Sequence, residues 1–433
     1  MMTGGLARRP PLGWNSFDCD GAAVVEAEVR ANAEWMARNL KAHGWEYVVV
    51  DFCWSHPLPG SQADPHQDEY LVPRLAIDGY GRLVPARERF PSAVDGAGFA
   101  PLAGFVHSLG LKFGIHIMRG IPRQAVADNL PVLGCEARAA GIADRTSDCT
   151  WLNHMWGVNM GKPGAQAYYD SLFALYASWG VDFVKVDDML AGSREIYHEA
   201  EIEAVPKAAA KCGRPMVLSF SPGAAPLRQA GHLKRSMHMW RISGDFWDDW
   251  KALRTQFDLA RDWARFTGPG AWADADMLPL GRLSKRGPMG AERWTNFTPD
   301  EQVTLMTLWL IFRSPLMMGG NMPENDVFTT SLLTNDEALA VGQEGSKPVE
   351  LFRRGEGIAW VSGAPRKGRY LALFNTGEGA VEVEVEFSEL GLKGPCRVRD
   401  LWKRGDLGSF GESFEALLPA HGSGLYLVQR AGK

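Results

Sequence analysis

Four segments of the chain end a short apolar run in aspartate: Glu46-Tyr-Val-Val-Val-Asp51, Phe183-Val-Lys-Val-Asp187 with Asp188, Trp240-Arg-Ile-Ser-Gly-Asp245, and Trp272-Ala-Asp274 with Asp276. One carboxylate after a strand is ordinary, because loops begin there and aspartates cap the helices that follow. Four gathered on one face suit two chemistries. They can hold a divalent cation, or they can transfer a glycosyl group, one acid attacking a sugar carbon while another protonates the leaving oxygen. Lys185 precedes Asp187 by two residues on the same strand face and Arg241 precedes Asp245 by four, so cations accompany both acids and reduce the need for a metal. Trp14, Trp54, Trp240, Trp247, Trp250 and Trp272 cluster near these strand ends and are available to stack on a sugar ring, with core packing claiming about half of them. No HxH or HExxH pattern occurs, which removes the commonest metallohydrolase signatures.

Such acids must be held by a scaffold that brings strand ends together. Between residues 46 and 320 short β-type runs alternate with helical patterns, the appearance of a parallel α/β fold. The runs are Glu46–Asp51, Leu111–His116, Phe183–Asp187, Met216–Phe220, His238–Arg241, Trp272–Asp274 and Leu316–Met318, with a first strand at Leu12–Trp14. Val25, Val29, Ala33, Met36 and Leu40 form one helical stripe, and Thr298-Pro299-Asp300-Glu301 has capping-box spacing. Eight strands alternating with helices predict a (β/α)8 TIM barrel over residues 1–335, active at the C-terminal strand ends, with an open doubly wound sheet as the other topology. The longest insertion falls between Arg119 and Gly180. Residues 341–433 read instead as short strands separated by Gly, Pro, Asn and charged turns, a small antiparallel β-sandwich packed on the barrel.

Composition narrows the partners. With 433 residues, 45% hydrophobic, the chain has apolar mass for one large core and a smaller one. Lys+Arg 46 against Asp+Glu 51 leaves a net charge of -5, with no broad basic field for nucleic acid or an anionic membrane. The longest greasy stretch, Leu305 to Ile311, is far short of a membrane span. Six cysteines without CxxC spacing argue against a zinc ribbon or a disulfide scaffold. No signal-type apolar stretch follows the basic N-terminus, so a cytoplasmic location with free thiols is expected.

The motifs also carry a family resemblance. Pro11-Leu-Gly-Trp-Asn-Ser16, Tyr47–Asp51 with Cys53-Trp54, Leu111–Ile115, Trp179–Asp187, Trp240–Asp245, Asp274-Ala-Asp-Met-Leu278 and Arg313–Leu316 resemble, in order, glycoside hydrolase family 27, the clan-D α-galactosidases or melibiases. The resemblance implies double displacement with retention, Asp187 as nucleophile and Asp245 as general acid/base, without a metal or other cofactor. It places Trp14 under the sugar, Asp51 on the hydroxyls at C4 and C6, Lys185 on O3 or O4, and Arg241 on O2. Asp276 matches a position that supports Arg241 and the 2-hydroxyl, a purely structural Asp–Arg pair being the other reading. His116 stands where the family has an aromatic, and either lines the pocket or is a satisfied strand-end histidine. Residue chemistry agrees with the two main roles. Lys185 should keep Asp187 ionised, Phe246 and Trp247 should desolvate Asp245, and the two carboxylates should lie about 5–5.5 Å apart, as in retaining enzymes.

Two departures fall in the substrate pocket. Where such α-galactosidases carry two consecutive aspartates after strand two, this chain has Asp51-Phe52, and Phe52 cannot accept a hydrogen bond from a sugar hydroxyl. After strand five the family's Cys-Glu-Trp-type segment is replaced by Ser221-Pro222-Gly223-Ala224-Ala225. The expected partner is an oligosaccharide or glycoside, with galactose, β-L-arabinopyranose and isomaltose or α-glucoside units as the candidate sugars. A magnesium-dependent barrel lyase and a non-catalytic carbohydrate-binding protein are the readings from other classes.

Overall fold

The computed structural model describes residues 5–58, 74–190, 196–221, 223–287 and 289–431; Met1–Gly4 of the N-terminus and Pro222 of the loop after strand five lie outside them. Eight parallel strands carry the first part of the chain: β1 (Leu12–Asn15), β2 (Tyr47–Val50), β3 (Lys112–Met118), β4 (Phe183–Asp187), β5 (Val217–Phe220), β6 (Met239–Arg241), β7 (Trp272–Asp274) and β8 (Leu316–Met318). They pair in the order β7-β6-β5-β4-β3-β2-β1-β8. The two edges meet just beyond β7, where Leu278 N donates to Met317 O at 2.8 Å and Gly319 N donates to Leu278 O at 3.0 Å. The sheet is thus a barrel and not an open doubly wound layer.

Strand periodicity divides the barrel side chains into two sets. Tyr47, Val49, Phe183, Val217, Met239, Trp272 and Met317 form one buried cluster inside the barrel. The alternate residues Val48, Val50, Val184, Val186, Leu218 and Trp240 pack in the larger cluster under the helices. Helix Glu26–Asn39 contributes buried Val29, Ala33 and Met36 to that layer. Helix Pro299–Phe312 starts with the expected capping box: Glu301 N donates to Thr298 Oγ1 at 3.3 Å and Thr298 N to Glu301 Oε2 at 2.8 Å.

That last helix is apolar nearly all round because it lies between two layers. On its far side is a six-stranded antiparallel sheet of β9 (Ser346–Arg354), β10 (Gly357–Gly363), β11 (Arg369–Asn375), β13 (Cys396–Asp400), β14 (Gly405–Phe410) and β16 (Ser423–Arg430), ordered β9-β10-β11-β16-β13-β14. The pair β12 (Val381–Glu386) and β15 (Ser413–Leu418) covers its outer face. Along β11, Leu371 and Leu373 join the sandwich core while Ala372 and Phe374 join the barrel core. Polar contacts fasten the layers: Trp402 Nε1 donates to Thr307 Oγ1 at 2.9 Å, and Trp250 stacks on His421 at 3.8 Å. Among the described residues no helix is long and apolar enough to cross a membrane.

The insertion after β3 folds as a three-stranded antiparallel sheet of Ile121–Pro122, Met155–Val158 and Ala143–Asp148, followed by helix Ala165–Trp179. It is anchored by buried Arg119, whose guanidinium pairs with Asp188 and with Glu201, each at 2.7 Å. Glu201 also accepts from Tyr169 Oη at 2.5 Å and from Val158 N at 3.2 Å.

Candidate active site

The inward-facing period of each barrel strand carries the functional groups to its C-terminal end. Tyr47 and Val49 lead to Asp51, Phe183 leads to Lys185 and Asp187, and Met239 leads to Arg241. The expected acids and cations therefore share one mouth, linked in two chains of contacts.

The first chain runs over β1, β2, β3 and β4. Asp51 Oδ2 accepts from Lys185 Nζ at 3.0 Å and from Asn15 Nδ2 at 2.7 Å, and Asp51 Oδ1 accepts from Phe52 N at 2.9 Å. Burial works to raise Asp51, but Lys185, then His116 and the Phe52 N–H, hold its carboxyl well below the usual carboxylate range. Burial likewise opposes the charge on Lys185, yet Asp51 and then Asp187 keep the ammonium above the usual lysine range. Asp187 is buried; its Oδ1 accepts from Asp188 N at 2.5 Å and its Oδ2 faces His116 Nε2 at 3.0 Å, with Ser221 Oγ at 3.5 Å.

The second chain runs over β6 and β7. Arg241 Nη1 pairs with Asp276 Oδ1 at 2.8 Å and Nη2 with Asp245 Oδ1 at 3.2 Å. Burial acts against the guanidinium charge, and Asp276 and Asp245 overcome it, holding Arg241 above the usual arginine range. Burial raises Asp276 against the pull of Arg241, and burial with the charge of Asp276 pushes Asp274 up to about 6. Lys185 Nζ lies 5.9 Å from the centre of the Phe17 ring, which in turn meets Trp247 of the loop after β6, so the two chains border a common space.

Several expected roles change on this geometry. Trp14 belongs with Leu12 to the layer under the helices, is fully buried, and donates from Nε1 to Gly320 O at 2.9 Å, so it offers no face to a sugar. Trp54, Trp240 and Trp272 are buried as well, and Trp250 is taken up by His421. His116 and Ser221 are buried against the carboxylate of Asp187. The direct ion pair of Lys185 is with Asp51, so its influence on Asp187 is exerted across space. The desolvation expected around Asp245 is absent from the free chain: its side chain is 53% exposed, because Phe246 turns into Phe297 and Trp309.

Around the mouth the expected Phe52 and Trp247 are joined by groups the sequence did not single out, Phe17 and Asp18. Trp151, Phe52, Phe17 and Trp247 form a continuous arc of rings, with successive centroids 6.4, 5.5 and 6.2 Å apart. Phe52 belongs to an apolar cluster with Ala22, Cys53, Met118, Cys149, Leu152 and Met155. Asp18, in the short helix Phe17–Asp20, is a further buried acid whose Oδ2 has no hydrogen-bond partner. Burial and then Asp276 push Asp18 well above the usual carboxylate range. The only signal for Phe17 and Asp18 was their place directly after Trp14-Asn15-Ser16. Among the described residues, the set of three whose ligating atoms lie within 4.8 Å of one another is Glu199, Glu203 and His232, away from the strand-end aspartates.

The chain matches the family model of α-galactosidase A over residues 151–344 and that of the α-galactosidase C-terminal β-sandwich domain over 355–428. A GH27 β-L-arabinopyranosidase from Geobacillus stearothermophilus superposes with a TM-score of 0.96 at 50% identity, covering 99% of this chain and 98% of that one. The chain belongs to glycoside hydrolase family 27. Alpha-galactosidase 2 from Arabidopsis thaliana is 26% identical across 99% of this chain and 92% of that protein. α-Galactosidase I from Mortierella vinacea shares the fold, with a TM-score of 0.72 at 23% identity. The family 27 chain described here is accordingly an O-glycoside hydrolase of the α-galactosidase type, and its substrate is a carbohydrate.

Proposed function

We propose that this family 27 enzyme is a retaining, exo-acting glycosidase whose preferred sugar is β-L-arabinopyranose. In the first step an oxygen of Asp187 bonds to the anomeric carbon, the bond to the aglycone oxygen breaks, and Asp245 gives that oxygen its proton. In the second step water bonds to the anomeric carbon, the ester bond to Asp187 breaks, and Asp245 takes the water proton. The placement of Asp245 supports this division, since an exposed acid beside Arg241 is accessible to a leaving group and to water, whereas Asp187 is buried and held at both oxygens. Asp51 and Lys185 supply an acceptor and a donor for hydroxyls on one side of the ring, and Arg241, braced by Asp276, supplies donors for the 2-hydroxyl.

The observation that carries the choice of sugar is Phe52. β-L-Arabinopyranose has the ring configuration of α-D-galactopyranose without the exocyclic CH₂OH. Beside Asp51, where a second acid would grip a 6-hydroxyl, the chain presents Phe52 packed on Phe17, Trp151 and His116. An apolar wall there leaves a CH₂OH group without partners and suits a sugar that lacks one. The relative from Geobacillus stearothermophilus is a β-L-arabinopyranosidase, which supports this choice.

A panel of aryl β-L-arabinopyranoside, α-D-galactopyranoside and α-D-glucopyranoside, assayed with the native enzyme, Asp187→Asn and Asp245→Asn, tests both parts. The arabinopyranoside should have the highest kcat/KM, and each substitution should lower kcat by at least a hundredfold. A native preference for the galactoside would leave the mechanism standing and overturn the sugar assignment.

A further inference from the structure

We propose that His116 is a positioning residue for Asp187 whose chief effect is on the second half of the reaction, the hydrolysis of the glycosyl-enzyme. The inference rests on the reading of Asp187 as nucleophile. His116 lies on β3, opposite Lys185 in the register with β4, and is 1% exposed. Its ring is held edge-on to Phe52 with centroids 5.9 Å apart, and its carbonyl accepts from Trp54 Nε1 at 2.6 Å, which fixes the strand at this point.

The proton that faces Asp187 is assigned by elimination between the neutral tautomers, and the imidazolium carries the same Nε2 proton. Nδ1 is buried and has no hydrogen-bond partner, while Nε2 lies 3.0 Å from Asp187 Oδ2. A proton on Nδ1 alone would bury an unpaired N–H and turn the Nε2 lone pair toward a carboxylate oxygen, two unfavourable arrangements at once. With the proton on Nε2 the ring donates to Asp187 and Nδ1 keeps only a lone pair. Asp187 then has an N–H donor on each oxygen, Asp188 N on Oδ1 and His116 Nε2 on Oδ2, with the longer Ser221 contact at 3.5 Å.

The consequence differs between the two steps. A hydrogen bond to an ionised acceptor is roughly twice as strong as one to a neutral acceptor. Asp187 begins as a carboxylate and becomes a neutral ester when its oxygen bonds to the anomeric carbon. The donor on Oδ2 therefore stabilises the state before attack and the state after departure, and does least for the ester between them. In the second step, as water adds to the anomeric carbon and Asp245 takes its proton, the electron pair of the breaking ester bond returns to Asp187, and His116 makes it a better leaving group.

The test uses the full chain and a 2,4-dinitrophenyl glycoside of the preferred sugar, whose leaving group makes the first step fast. In His116→Phe, which keeps ring volume and removes the donor, kcat should fall about tenfold and KM should fall with it. kcat/KM should stay within about threefold of native, and stopped flow should show a dinitrophenolate burst approaching one equivalent per site. His116→Leu is a second donor-free variant, and His116→Gln, whose amide can donate at the same reach, should recover most of the native kcat. A merely structural role would lower kcat/KM together with kcat, produce no burst, and give no recovery with Gln; that result overturns the inference. If Asp187→Asn keeps native turnover, the underlying assignment of the nucleophile fails instead, independently of how the His116 variants behave.

Discussion

Replacing Phe52 by alanine opens the apolar wall that is proposed to exclude the exocyclic group of a hexose. The ring is 3% exposed and touches Phe17, His116 and Trp151, so the variant loses the transfer energy of a buried aromatic and acquires a cavity, a cost of about 3–5 kcal/mol. A chain with cores of this size should remain folded at 25 °C, which a urea titration checks. One added carbon in a shaped pocket is worth about 1–3 kcal/mol, or roughly 10- to 200-fold in kcat/KM. The ratio of arabinopyranosidase to galactosidase kcat/KM should therefore fall by about 10- to 100-fold in Phe52→Ala, chiefly through a gain on the galactoside. With Asp51 and Lys185 proposed to bind the remaining hydroxyls in both substrates, the loss on the arabinopyranoside should be the smaller change. A folded Phe52→Ala protein with an unaltered ratio would show that the sugar does not lie against this wall.

Other substitutions probe the supports of the site. Lys185→Met strands the buried Asp51 carboxylate, which lies 3.0 Å from the ammonium, and should destabilise the chain by about 3–5 kcal/mol in urea unfolding while abolishing measurable turnover. Asp274 is raised from 3.8 to about 6 by burial, so its contribution is fully present below pH 4 and is lost as the pH rises through 6, about 3 kcal/mol in all. Asp274→Asn should thus flatten the dependence of stability on pH between about 4 and 6 and equal or exceed the native protein at pH 7. A β-carbon on Gly319 would collide with Asp18 Oδ2, so Gly319→Ala should cost about 1–3 kcal/mol and lower activity, and Asp18→Asn should not relieve it because the amide has the same bulk.

The barrel was legible because its strands alternate between two buried layers, so apolar runs ending in Asp51, Asp187, Arg241 and Asp274 identify both the strands and their active ends. The capping box at Thr298 was local enough to read directly. The tryptophans were not, because their exposure depends on parity and on the helices above them: Trp14 lies on the outward set of β1, while Asn15, one residue on, meets Asp51. That Phe52 and Trp247 belong to one aromatic arc was hidden for another reason. Phe17, Phe52, Trp151 and Trp247 come from a short helix and three separate loops, and short, partly polar strands such as Ala143–Asp148 give little periodic signal for the insertion that delivers Trp151. His116 and Ser221 were expected to line the pocket, but their contact with Asp187 depends on the register of β3 and β5 with β4.

Incubation with an activated 2-deoxy-2-fluoro glycoside, followed by proteolysis and mass mapping, addresses the catalytic assignment directly. A single sugar attached through an ester to the peptide bearing Asp187, absent from Asp187→Asn, is the predicted result. A label on another carboxylate, or turnover of the probe with no covalent adduct, would contradict it.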